Sequence, residues 1–301
     1  MLTKNFTNAL RGLAILLVVI QHIGGGRFFI NQFTPCGGIG VALFLLLSGY
    51  GLNESWKNKG LDGFWIGKLL RVYIPYVLWI CLQRLLSHKA FTDTDFWLDV
   101  SLLKTSYWYV GYLFWWYAIF FVASRWCDRY RLWVMAVAAV CLFFFDTSGI
   151  RAEQSLSFVC GVWFSTNKEW IDGIGRKACL GIALPSLAVG IVALAIKQLP
   201  LLREMEGSCL WDTTQLLIKL PVALAILFGT MTIHERMTNN MVLTWLGLMS
   251  YELYLVHMSY LGMVNTAVDI ISFMAVSLGM AYSFYHLNTY IGREGKKMVF
   301  R

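Results

Sequence analysis

Arg11 and His22 lie in the stretch LRGLAILLVVIQH, residues 10–22, with the eight apolar residues from Leu13 to Ile20 between them. Eleven steps of 100° along an α-helix overshoot three turns by only about 20°. The two side chains therefore share a face, about 16 Å apart along the axis. A neutral imidazole, with an ordinary pKa near 6.5, can take a proton from a hydroxyl, or can accept a group covalently. The residues leave both roles open. Ionisable groups deep in an apolar segment are costly and usually face a polar cavity or a partner. The plainer alternatives are a signal peptide, or an ordinary helix with a snorkelling arginine and a hydrogen-bonded histidine.

Other residues could contribute. Lys68 and Arg71, in GFWIGKLLRVYIPY, are three apart and share a face if that stretch is α-helical. They are either plain markers of topology or a cationic pocket for phosphate groups. Pro75 should kink the helix that follows. Ser48 sits in GGIGVALFLLLSGYGL, where the glycines favour close helix approach and the hydroxyl could face a cavity. Glu252 and His257, in MSYELYLVHMSYLG, are five apart and fall on different faces. Either could line a cavity, and Glu252 could neutralise Arg11, Arg84 or Lys219. No spacing of His, Cys, Asp or Glu suggests a metal site, and the seven cysteines suggest no disulfide framework.

The elements that must position these residues are membrane helices. The chain has 301 residues, 58% hydrophobic and only 14% charged, with a mean hydropathy of +0.60. A soluble domain carries about 25% charged residues, so too few remain here to cover a water-exposed surface. The net charge of +8 does not point to nucleic acid, because Lys and Arg are spread over short loops and no nucleic-acid motif is present. Ten apolar segments can be read, near 9–25, 36–52, 70–87, 107–124, 131–146, 152–165, 178–197, 213–232, 241–262 and 266–287. The sixth is the weakest. With the N-terminus inside, 16 of the 25 Lys and Arg residues fall in cytoplasmic loops and six in outer ones. That bias supports ten spans with both termini cytoplasmic. The expected fold is an all-α, polytopic membrane helix bundle. No repeat, linker or low-complexity tract divides it, so residues 1–301 read as one integral domain. The dense aromatics of the fourth segment, such as Trp108 and Trp115, suit interfacial anchoring or a cavity lining.

Taken together the stretches resemble the acyltransferase family 3 membrane proteins. The resemblance rests on Arg11 and His22 with ten residues between them, on GGIGVALFLLLSGYGL, on KLLRVYIPY, on YWYVGYLFWWY and on LGLMSYELYLVH, in family order over roughly residues 5–260. One departure is Lys68, which stands where the family has the first arginine of a basic pair. It keeps the charge but loses the bidentate fork. The resemblance implies an enzyme that takes an acyl group, usually acetyl, from cytoplasmic acyl-CoA. The acceptor would be a hydroxyl of a carbohydrate or lipid-linked glycan at the outer face, and the setting a bacterial inner membrane. It implies that Arg11 and His22 act in catalysis and that Lys68 and Arg71 hold the acetyl-CoA phosphates. A pantetheine arm running past Arg11 would bring the thioester near His22, since 16 Å is comparable with its reach. The competing expectation is a transporter or flippase using Arg11, His22, Glu252 and His257 as a polar relay. The absence of an internal repeat speaks against it. A glycan-polymerising enzyme would need long, basic outer loops, and these are modest and acidic.

Overall fold

The first helix begins where the Thr3 hydroxyl accepts a hydrogen bond from the Phe6 amide at 3.3 Å, an N-cap that satisfies one of the helix's open donors. In the computed structural model, which describes residues 2–28 and 30–299, helices follow one another along the chain and no strand occurs among the described residues. They are α1 (Lys4–Gln21), α2 (Thr34–Lys59), α3 (Phe64–Lys68), α4 (Ile74–Leu86), α5 (Thr94–Val100), α6 (Trp108–Trp126), α7 (Arg131–Phe145), α8 (Gly149–Ala152) and α9 (Ser155–Thr166). The second half holds α10 (Lys168–Gly173), α11 (Arg176–Lys197), α12 (Pro200–Arg203), α13 (Cys209–Met231), α14 (His234–Thr238), α15 (Met241–Leu248), α16 (Ser250–Tyr260) and α17 (Asp269–Val299).

A helix stands at each of the ten apolar segments. Among the described residues six stretches are long and apolar enough to cross a membrane: Lys4–Gly25, Thr34–Lys59, Phe64–Leu86, Arg176–Lys197, Cys209–Met231 and Asp269–Gly295. The others differ for physical reasons. α6 is long but rich in Trp and Tyr, whose polar tips lower its hydropathy, whereas α7 and α9 are short. The ninth segment is not one helix, because Met249, with φ −106° and ψ 15°, breaks it into α15 and α16. Arg301, one of the cations that oriented the chain, lies outside the described residues.

The chain divides into two units, each made of two separated stretches: 1–60 with 119–248, and 61–118 with 249–301. In the first unit α1 packs on α2 and α15, α2 on α9 and α13, and α11 on α13. Its core includes Phe6, Leu10, Leu46, Phe164 and Phe228. α11 leaves Leu184, Ile191 and Val192 exposed, as a lipid-facing helix does, since acyl chains are as apolar as leucine. Without a hydrophobic drive between helices, close packing holds such a unit together, and small residues allow it. A Cβ on Gly49 would stand 2.2 Å from the Phe158 carbonyl oxygen, and one on Gly161 would stand 1.9 Å from that of Leu46. The glycines of α2 thus serve the packing role that their composition suggested.

The second unit is tied by buried hydroxyls and indoles. The Tyr107 hydroxyl accepts from Trp79 Nε1 at 2.9 Å and from Gln83 Nε2 at 3.1 Å, and donates to the Leu255 carbonyl at 2.9 Å. The Tyr76 hydroxyl reaches Asp99 Oδ1 at 2.7 Å and Thr105 Oγ1 at 2.8 Å, which fixes the α5 loop to α4. The fourth-segment aromatics in this unit are therefore partly structural hubs and not only interfacial anchors.

Candidate functional site

The first unit carries the Arg11 and His22 pair. α1 keeps α-helical winding through Gln21, so the face shared by the two residues is preserved. Arg11 is half-buried. Its Nη1 donates to Asn8 Oδ1 at 3.3 Å, and its Nη2 lies 3.8 Å from where a Cβ on Gly51 would stand. The guanidinium thus lies between its own helix and the bare backbone of α2. Neither Asn8 nor Gly51 was marked as a site residue from sequence. Asn8 is three residues before Arg11 and so was findable; Gly51 required knowing which helix packs on α1.

His22 opens a π-helical segment, His22–Arg27, a winding that recurs at functional sites. Its imidazole is half-buried and bonds the Val18 carbonyl. A carbonyl only accepts, so the ring nitrogen facing it carries the proton. The other nitrogen of a neutral ring is then an acceptor, which is what a general base requires. Ser48 is half-buried on α2, next to the tight contact at Gly49.

The second unit carries the other four candidates. Lys68 ends α3, half-buried, with its ammonium 4.7 Å from the Tyr117 ring centroid and 5.4 Å from that of Phe64. Arg71 is exposed and lies in a π-helical turn, Leu69–Tyr73, closed by the Ile74 amide donating to the Leu69 carbonyl five residues back. The α-helical face expected for Lys68 and Arg71 is therefore rewound. Pro75 accounts for this, because it has no N–H to offer the Arg71 carbonyl and its ring would clash there. The two cations still repel one another, and among the described residues neither has a carboxylate in salt-bridge range. Like charges gathered without an acid fit an anion.

Glu252 is buried and accepts a hydrogen bond from Asn288 Nδ2 at 3.0 Å. Of the three cations considered as its neutraliser, Arg84 pairs with Asp93 at 2.8 Å, Lys219 pairs with Glu153, and Arg11 bonds Asn8. His257 is fully buried, with Nδ1 donating to the carbonyls of Leu253 and Tyr254, both at 2.9 Å. These are the contacts of a histidine that stitches its own helix.

A family model described as an acyltransferase domain, that of acyltransferase family 3, matches residues 4–285. The chain belongs to this acyltransferase family. The match includes all seven candidates, from Arg11 to His257. No curated protein and no solved structure matches the chain. With its long apolar helices, this is an integral membrane acyltransferase. The family match lends the transporter reading no support.

Proposed function

We propose that this acyltransferase takes an acetyl group from acetyl-CoA on the cytoplasmic side of a bacterial inner membrane. It passes the group to a hydroxyl of a carbohydrate or lipid-linked glycan at the outer face. Ten crossings, with both termini cytoplasmic, suit this division of substrates, and the whole chain serves as one catalytic domain. The observation that carries the reading is the Arg11 and His22 pair on α1 within the matched family region. With one ring nitrogen of His22 directed at the Val18 carbonyl, the reading assigns proton acceptance to the other.

In this reading the acceptor nitrogen of His22 takes the proton of the sugar hydroxyl. The oxygen attacks the thioester carbonyl, the C–S bond breaks, and the imidazolium returns the proton to the departing thiolate. Arg11, held by Asn8, supplies positive charge along the same helix face. Lys68 and Arg71, two cations without an acid partner among the described residues, take the donor's phosphates.

The test is calorimetric titration of acetyl-CoA into the detergent-purified protein, with Arg71→Ala and His22→Ala alongside. Saturable binding that weakens in Arg71→Ala and survives in His22→Ala supports the assignment. A folded wild type that does not bind acetyl-CoA overturns the donor.

A further inference from the structure

Lys219 stands ten residues into α13, about 15 Å from its start. Its ammonium pairs with the Glu153 carboxylate. Both residues are buried, at 8% and 6% exposure, in the first unit. Lys197 and Asp212 are further charges that act on the pair. A buried ion pair is a costly way to hold helices together. Apolar side chains of the same volume often do so as well or better, and burial at membrane depth adds to the cost. The neighbours of the pair indicate what it serves.

The stem of Lys219 lies flat on Gly38, where a Cβ would stand 2.4 Å from its Cε. The Gly38 carbonyl accepts a hydrogen bond from Gln154 Nε2 at 2.9 Å, and Gln154 follows Glu153 in the chain. One residue earlier, a Cβ on Gly37 would stand 2.2 Å from Oε1 of Gln21. Gln21 is the last residue of α1 and the neighbour of His22. The start of α2 is thus gripped on one side by Lys219 and Gln154. On the other it bears directly on the residue before the imidazole.

The geometry points to Lys219 and Glu153 as positioning residues for His22. The ion pair fastens α13 to the entry of α9, Lys219 and Gln154 hold the Gly37–Gly38 turn, and that turn holds Gln21 and the start of the π-helical segment. The effect on turnover rests on the reading of His22 as the base, whereas the effect on the surroundings of His22 does not.

Two double variants of the full chain test this. Lys219→Met with Glu153→Gln removes the charges and keeps the volumes. Lys219→Glu with Glu153→Lys restores a pair of reversed polarity. The first readout is the carbethoxylation rate of each of the five histidines by diethyl pyrocarbonate, measured by peptide mass spectrometry. The second is turnover with acetyl-CoA. In the neutral pair, the His22 rate should change about threefold or more while His88, His234, His257 and His286 stay within about twofold. Turnover should fall about tenfold or more at unchanged donor KM, and the reversed pair should regain part of both. The proposal is overturned by a neutral pair with wild-type labelling and turnover, by all five histidines shifting together, or by a reversed pair that regains nothing. A wild type inactive with acetyl-CoA would count against the donor, and the labelling would still decide the positioning.

Discussion

A Cβ on Gly12 would stand 2.0 Å from the Leu243 carbonyl oxygen, so α1 and α15 run backbone against backbone beside Arg11. The contact is reciprocal, because a Cβ on Gly247 would stand 1.8 Å from the Asn8 carbonyl oxygen. Asn8 is also the residue that holds the Arg11 guanidinium. The packing that joins these helices and the placement of the arginine are therefore one arrangement.

Gly12→Ala should destabilise the protein by about 1–3 kcal/mol, because the obstacle is backbone and cannot rotate away. Gly181→Ala is the control. Nothing lies within 4 Å of its Cβ position on α11, and alanine there should be neutral or gain about 0.5–1 kcal/mol. Thermal unfolding of the detergent-purified variants measures both, and equal melting of the two would contradict the close approach.

His22→Ala should lower turnover about 10²- to 10⁴-fold while the protein remains in the membrane at normal yield. Asn8→Ala should produce a smaller loss, because it frees the guanidinium without removing it. Radiolabelled acyl transfer in membranes, normalised to protein, ranks the two. Near-normal transfer by His22→Ala would remove this histidine from the chemistry.

Tyr107→Phe should cost about 1–3 kcal/mol of stability, because it leaves Trp79 Nε1 without its acceptor in a site where Trp79 is 1% exposed. Trp79→Phe in addition should cost less than the sum of the single changes, since it removes the stranded donor. Thermal melts of the two singles and the double decide this.

Asp93 lies outside the helices, and the hydrogen bond from Arg84 holds its carboxyl below the ordinary aspartate value. The folded value is the lower one. The pair's contribution is therefore present above the unfolded pKa, near 3.9, and is lost as pH falls through the folded value. The difference in melting temperature between wild type and Asp93→Asn should be present at pH 6 and shrink toward nothing in strong acid. Asp93 is exposed, so the difference should also shrink with salt.

Much of this protein is legible without a structure because its strongest constraints are local. A helix in hydrocarbon must satisfy its own backbone hydrogen bonds, so each apolar segment marks a helix wherever it packs. The shared face of Arg11 and His22 follows from helical rise and twist alone, and α1 retains it. The order of the motifs was enough to name the family.

Tertiary structure decided what depends on pairs far apart in the chain. The ninth segment breaks at Met249, although its composition is continuous. Glu252 meets Asn288 and Lys219 meets Glu153, pairings in which any intramembrane cation or amide could have served. The Arg11 guanidinium lies against Gly51, because close packing of α1 on α2 sets which backbone is bare at that height. Sequence thus determined the helices and the face that carries the chemistry, since both arise from interactions within about four residues. The partners of each buried polar group came only from packing, because helix contacts in a bilayer are chosen by steric fit and local geometry, which leave no periodic mark in the chain.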